Sequence, residues 1–343
     1  MKAPIKKIFA VFIILLIVFL YLYSEKKVKR YEFTSIKIGT LSNIIIYSYE
    51  NEKELKTVHD ECLREIDKLA KIFNAHSKDS LIAKINKDAW KKPVKVNTDF
   101  ENVFFKSKRF FDITDGAFDP GVLPLLRLWR LFEFNDKNVK IPSKSEIKKV
   151  LDYASIEYAE LENGKVRFLK KSVKLDFGGI AKGYIIDKVA DILKRDSRVI
   201  AGIVNIGGDL KIVNKNKKIF PYFKIAVKSP LEENGFLGVV FIQEGAIVTS
   251  GVYERFKKKN NELFAHIIDP GSGFPVKSDI LSVTVIGNNA VDCDALATSF
   301  MVLGVEKSKE IAKKENVKIL FAVKKAKKGV KLISVNGFVL KNE

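Results

Sequence analysis

From Ile36 to the C-terminus, short strand-like runs and amphipathic helices follow one another without a sustained βαβ rhythm. This constrains the fold more than any single motif, because a parallel sheet needs a crossover helix between successive strands while hairpins give antiparallel pairs. Asn163-Gly164, between YAELE and KVRFLK, is a two-residue hairpin signal of this second kind. No Gly- or Pro-rich linker divides the body, so any two lobes share one continuous fold. The expected class is α+β, with largely antiparallel sheets and packed helices. A chain of 343 residues, 47% of them hydrophobic, can bury one large core or two modest ones.

The periodicity places the elements. IKIGTLSNIIIYSY, Ile36 to Tyr49, reads as a strand. Leu55, Val58, Cys62, Ile66, Leu69 and Phe73 fall three or four apart and mark a helix ending near Asn74. A second helix is expected from about Asn102 to Ile113, with Phe104, Phe105, Phe110 and Phe111 giving it bulk. KLDF reads as strand, running into GGIAKGY and a helix. Strand VIAGIVNI leads to Gly207-Gly208-Asp209, followed by FKIAV, GVVFI, AIVTS, FAHII and SVTVI. A helix from about Asp292, a lysine-rich helix around 305–315 and strands near 318–323 and 330–340 complete the chain.

Residues 1–30 stand apart. Lys2, Lys6 and Lys7 precede the apolar run Ile8 to Tyr23, and four basic residues lie among Lys26 to Arg30. The run is long for a signal-peptide core and slightly short for a spanning helix, with no small-x-small site after it. It is read as an uncleaved membrane anchor, a cleaved export signal being the other reading. The formal net charge of +20 comes largely from scattered lysines. No basic stripe interleaved with aromatics marks a nucleic-acid groove, so solvated faces and attraction to an anionic membrane surface account for the charge. Only Cys62 and Cys293 are present, too few for a disulfide scaffold or a zinc cluster.

Four places carry candidate chemistry. Asp292 and Asp294 lie in VDCDALATS, where Asp294 and Thr298 share one face of a helix and suit a hard cation; either Asp is equally a helix cap. Asp176 heads DFGGIAKGY, in which Gly178 and Gly179 permit close backbone approach and the helix N-terminus favours phosphate, with Lys182 adding charge or merely decorating the first turn. His266, before Asp269-Pro270-Gly271, is placed as a general base or as a satisfied strand-end residue. His76 lies in a loop, where its ring stacks on a planar ligand or simply faces solvent, while His59 reads as an ordinary helix residue.

Taken in order, the blocks FNAHSKDS, TDGAFDPGVLPLLRLW, KLDFGGIAKGYIID, VNIGGDL, VTSGVYERF, HIIDPGSGFPV and DCDALATSFMVLG resemble the ApbE family of flavin transferases over nearly everything from Ile36 onward. The resemblance implies a T-fold-like arrangement with two lobes around an FAD cleft. It implies Mg2+ held by Asp294, Thr298 and the Gly179 carbonyl, and FAD contacts at His76, Ala117, Phe118, Asp119, Asp176 and Lys182. It makes His266 the base for an acceptor hydroxyl. The implied reaction moves FMN from FAD to a threonine or serine of a target flavoprotein and releases AMP, with the catalytic body on the extracytoplasmic side of the inner membrane. FAD pyrophosphatase activity, and FAD storage without catalysis, are the alternatives. Two departures stand out: Gly271-Ser272 replace the usual basic residue and threonine, and His76 stands where many members have tyrosine.

Overall fold

A computed structural model describes residues 27–132, 140–232, 234–252, 256–259, 262–325 and 329–341, together with Ile13. The expected anchor, Ile8 to Tyr23, lies outside the described residues apart from Ile13. Among the described residues no helix is long and apolar enough to cross a membrane.

Strands β1 (Lys29–Lys37) and β2 (Thr40–Ser48) precede helices α1 (Glu52–Phe73), α2 (Leu81–Asp88) and α3 (Thr98–Ile113), with β3 (Val94–Lys95) between the last two. Helices α4 (Leu123–Leu128) and α5 (Lys144–Leu151) lead to the hairpin of β4 (Ala159–Glu162) and β5 (Lys165–Phe168), then to α6 (Ala181–Arg195). There follow β6 (Ala201–Ile206), β7 (Asp209–Asn214), β8 (Phe223–Lys228), β9 (Phe236–Ile242) and β10 (Gly245–Gly251). Last come β11 (Phe256–Lys259), β12 (Glu262–Ala265), β13 (Ile280–Gly287), α7 (Ala290–Lys314), β14 (Lys318–Lys324) and β15 (Val330–Val335).

Eight strands make one sheet in the order β1-β2-β6-β7-β10-β13-β14-β15, and every neighbouring pair in it is antiparallel. Side chains alternate across it. Ile44 and Ile46 of β2 enter the main core, while Ile45 and Tyr47 pack on the other side against a cluster holding Phe223 and Ile242 of the β8–β9 hairpin. A strand covered on both faces reads as a continuous apolar run, which is why β2 carries Ile-Ile-Ile-Tyr. Helix α1 turns the anticipated stripe inward, starts at a capping box of Asn51 and Glu54, and stops at Asn74.

Several expectations need correction. Ile36 to Tyr49 is not one strand but the end of β1, a turn and β2, with Ile38 at φ 46° and Gly39 at φ 77°. A β-branched residue is a poor turn signal, so the sequence hides the break. Helix α3 begins at Thr98, capped by Asn97, and Phe105 is 55% exposed, its ring meeting Phe104 edge-on outside the core. KLDF joins no strand; the Asn86 side chain takes a strand's place, accepting from Leu175 N–H (2.7 Å) and donating to its carbonyl (2.8 Å). The two helices expected near the C-terminus are both present: they meet at Gly304, whose backbone is non-helical (φ 76°, ψ −179°), and α7 comprises the pair.

Helices α6 and α7 cross where neither has a side-chain cap of its own. Asp187 of α6 accepts from Ala290 N–H and Val291 N–H at the start of α7, both at 2.9 Å. In return Asp294 of α7 accepts from Gly183 N–H near the start of α6, at 2.9 Å. The backbones approach so closely at Gly183 that a Cβ there would lie 2.3 Å from the Ala290 carbonyl oxygen. In an isolated helix Gly→Ala gains ~1 kcal/mol, but a clash with backbone is not relieved by a rotamer change. Gly183→Ala is therefore expected to destabilise the protein by about 1–3 kcal/mol, read as a lowered thermal midpoint by circular dichroism; a raised midpoint would contradict the close crossing.

Candidate active site

A cleft of about 980 Å³ opens at the end of the sheet where β1 turns into β2 and β6 into β7, bordered by Ile38 to Thr40 and Gly207 to Asp209. It is at the upper end of the usual volume of small-molecule sites, ~300–1,000 Å³. All ten residues assigned to a site from the sequence border this one cleft.

The turn into α6 forms one wall. Asp176 N–H donates to the Pro120 carbonyl (2.8 Å), and Asp176 Oδ1 accepts from Gly178 N–H (3.0 Å). A Cβ at Gly179 would sit 3.2 Å from Thr298 Oγ1 and 3.3 Å from the Phe118 ring, so only a glycine leaves this cradle open. Thr298 lies one helical turn beyond Asp294 on α7, with its hydroxyl 3.4 Å from Ser250 Oγ on β10. Asp294 is buried, and the anticipated capping role is real but directed at α6, not at its own helix. Asp292 instead pairs with Lys106 (2.6 Å).

A further acid, Asp209, was not among the expected site residues. It is 2% exposed; its Oδ1 accepts from Thr249 N–H (2.9 Å) and its Oδ2 lies 2.5 Å from Lys182 Nζ. Burial raises both carboxyls, Asp294 to about 7, and the Lys182 ammonium opposes the rise in each. The block VNIGGDL held the signal, but only the pairing of β7 with β6 and β10 brings Asp209 beside Lys182.

Ala117, Phe118 and Asp119 follow a turn with Asp115 at φ 52° and Gly116 at φ 76°. Asp119 borders the cleft, yet its Oδ1 is spent inside the protein, accepting from Gly121 N–H (2.6 Å) and Ile156 N–H (2.8 Å). Burial pushes its carboxyl up to about 6, against hydrogen bonds from the Ser155 side chain and from those two N–H groups. His266 follows β12 directly and is half-buried. The loop beyond it is closed by Gly273 N–H donating to the Asp269 carbonyl (2.8 Å) and by Trp129 Nε1–H donating to the Gly273 carbonyl (2.9 Å). The His76 ring stacks on Phe132, with centroids 4.1 Å apart and planes 13° apart. His59 stacks on Phe33 (4.6 Å) away from the cleft.

A glycine turn at a helix N-terminus, two buried carboxylates, a lysine facing both and a histidine thus share one cleft, a set with the chemistry to take a phosphate. The chain belongs to the ApbE family, whose model matches residues 38–321. It is 27% identical over 301 residues to the FAD:protein FMN transferase of Vibrio cholerae, covering 88% of this chain and 89% of that protein. It is 29% identical over 265 residues to the FAD:protein FMN transferase of Escherichia coli K12, covering 76% and 75%. Among solved structures, the ApbE protein of Thermotoga maritima superposes with a TM-score of 0.79 at 29% identity, covering 90% of this chain and 97% of that one. The flavin transferase ApbE of Vibrio cholerae gives 0.76 at 27% identity, covering 91% and 99%.

The Asp119 carboxyl yields a pH test. Titrating near 6 in the fold against 3.8 when unfolded, it contributes stability that is fully present below about pH 4 and is lost as pH rises through 6. The amide of an Asp119→Asn variant would keep an oxygen for both N–H groups and does not titrate. The stability of Asp119→Asn relative to the parent should therefore climb between pH 4 and 7 by on the order of 2–3 kcal/mol. Denaturant unfolding at both pH values measures this, and a flat difference would mean that burial does not perturb the group.

Proposed function

We infer that the protein transfers FMN from FAD to a threonine or serine hydroxyl of an acceptor flavoprotein, releasing AMP, and that the reaction depends on Mg2+. The observation that carries this reading is the convergence of Asp294, Thr298, Gly179, Lys182 and His266 on one cleft in a chain of this family. Relatives spanning most of its length bear the name FAD:protein FMN transferase.

FAD fills the cleft between two lobes, the sheet end with α6 and α7 on one side and the α4 and β8 segments on the other. The N-terminus of α6 and Lys182 meet the pyrophosphate, as oriented N–H groups and an ammonium do elsewhere. Asp176 and the Ala117–Asp119 segment contact the rest of the dinucleotide, and His76, backed by Phe132, offers its outer face to an aromatic ring. Asp294, Thr298 and the Gly179 carbonyl form an all-oxygen donor set that suits a hard divalent cation, and the open cradle at Gly179 leaves room for one beside Thr298 Oγ1. Magnesium held there supplies charge neutralisation at the pyrophosphate.

His266 takes the proton of the acceptor hydroxyl as that oxygen bonds to the FMN phosphorus. The bond from this phosphorus to the bridging oxygen breaks, AMP leaves with the electron pair, and the proton follows it to the AMP phosphate. The base contributes ~10²–10⁴-fold to such a step. The apolar run of residues 8–23 anchors the protein in the inner membrane, with the body on the extracytoplasmic side, where membrane-bound redox subunits are the natural acceptors.

The test is mass spectrometry of an acceptor incubated with the full-length chain in detergent, FAD and magnesium. The acceptor should gain the mass of FMN minus water, and EDTA should abolish the gain. His266→Ala should slow it by about 10²–10⁴-fold. Because Asp294 also caps α6, Asp294→Asn is a cleaner variant than Asp294→Ala: it keeps an oxygen for Gly183 N–H, stays folded and loses transfer. Near-normal turnover in Asp294→Asn refutes the metal assignment, and free FMN with unmodified acceptor points to hydrolysis.

A further inference from the structure

The cleft and the start of the folded body lie at opposite ends of the sheet. The Ile38–Thr40 turn borders the cleft, whereas Lys29, where β1 begins, pairs with Ser48 at the far end of β2. Tyr47 pairs there with Ala201 and Ala201 with Asn214, so the 215–222 loop sits at that same far end. Ring contacts fix it: Tyr47 meets Phe220 at 4.7 Å and Phe223 at 5.8 Å, and the Asn214 side chain donates to the Phe220 carbonyl (2.8 Å).

This end of the molecule is basic and carries exposed apolar side chains. Lys29, Arg30, Lys217 and Lys218 are all exposed, and Ile219 and Tyr222 are 40% and 52% exposed. Of the acids beside them, Glu32 pairs with Arg30 (2.7 Å) and Glu244 with Lys217 (3.1 Å). Glu50 comes two residues after Ser48, the partner of Lys29, Asp196 pairs with Arg198 (2.6 Å), and Glu52 and Glu54 lie in the first turn of α1 alongside Lys53 and Lys56. Ser24 follows the apolar run and Lys29 begins β1 five residues later, a reach of at most about 18 Å.

We propose that this end of the sheet, with Lys217, Lys218, Ile219 and Tyr222 at its centre, rests on an anionic phospholipid surface. The inference rests on the anchor reading given above, and deepens it by fixing an orientation. Lysines meet the headgroup phosphates while Ile219 and Tyr222 enter the interface, as aromatic and basic residues do at membrane boundaries. Strand β1, nine residues long, then holds the cleft mouth roughly 27 Å above the headgroups and facing away from them. An acceptor must present its hydroxyl at that height.

The test uses the full-length chain bearing a single fluorophore, at Ile219→Cys or, near the cleft, at Leu41→Cys. Native Cys62 and Cys293 are both buried, so the label goes to the introduced thiol. The protein is reconstituted into vesicles of phosphatidylcholine alone or with phosphatidylglycerol, each with a headgroup-borne quencher. Quenching at 219 should be strong with phosphatidylglycerol and weak without it, and the Leu41→Cys label should be unquenched in both. The double variant Lys217→Glu/Lys218→Glu should lose the gain due to phosphatidylglycerol. Equal quenching at 219 in both lipids, or quenching at both positions alike, overturns the proposal. A chain that floats with vesicles but is unquenched at 219 overturns the docking face alone; one that floats with neither vesicle overturns it together with the anchor.

Discussion

The reciprocal capping of α6 and α7 is the contact on which the site depends. A helix leaves its first N–H groups without partners inside it, and here each helix supplies the other's missing acceptor, through Asp187 in one direction and Asp294 in the other. The exchange is possible only because Gly183 lets the two backbones meet. One consequence reaches the cleft directly. With one oxygen committed to Gly183 N–H, Asp294 cannot rotate freely, and Thr298 a turn later is set against the Gly179 cradle. Folding of the crossing and geometry of the site are thus one event.

That geometry is costly in electrostatic terms. Asp209 and Asp294 are both buried, and burial raises both carboxyls while Lys182 opposes the rise. Two acids facing one ammonium in a low-dielectric setting are retained only if the surroundings over-determine them. Thr249 N–H and Gly183 N–H do this, each holding one acid on a different element, β10 and α6. The surplus negative charge suits a cation, and the helix N-terminus beside it suits an anion, so the two halves of the site favour opposite charges.

What the sequence made legible was what depends on near neighbours. The stripe of α1 and its stop at Asn74 are set by spacing alone, and the Asn163-Gly164 turn declares itself through residues that accept positive φ, 48° and 70° here. The β1–β2 turn was hidden because Ile38 occupies a left-handed conformation that its side chain disfavours. Asp209 was hidden for a different reason: its contact with Lys182 depends on sheet order, which no local pattern encodes. The seven blocks located the cleft, since all ten residues drawn from them border it. They did not reveal that Asp119 serves Ile156 N–H as well as the nearby Gly121 N–H, because the first of these lies 37 residues away in the chain.

The departure at Gly271-Ser272 can now be weighed against its setting. The turn that carries it is closed by main-chain and tryptophan hydrogen bonds, Gly273 N–H to the Asp269 carbonyl and Trp129 Nε1–H to the Gly273 carbonyl. Gly271 adds no side chain to this turn, and the Ser272 hydroxyl accepts from Phe274 N–H (3.4 Å). The turn near His266 is therefore closed without any basic side chain at 271. Lys224 and Lys228 of β8 border the same cleft, so positive charge reaches it from the covering hairpin as well as from Lys182. The cleft thus takes its positive charge from α6 and β8, while the turn after His266 is held by its own main-chain and tryptophan bonds.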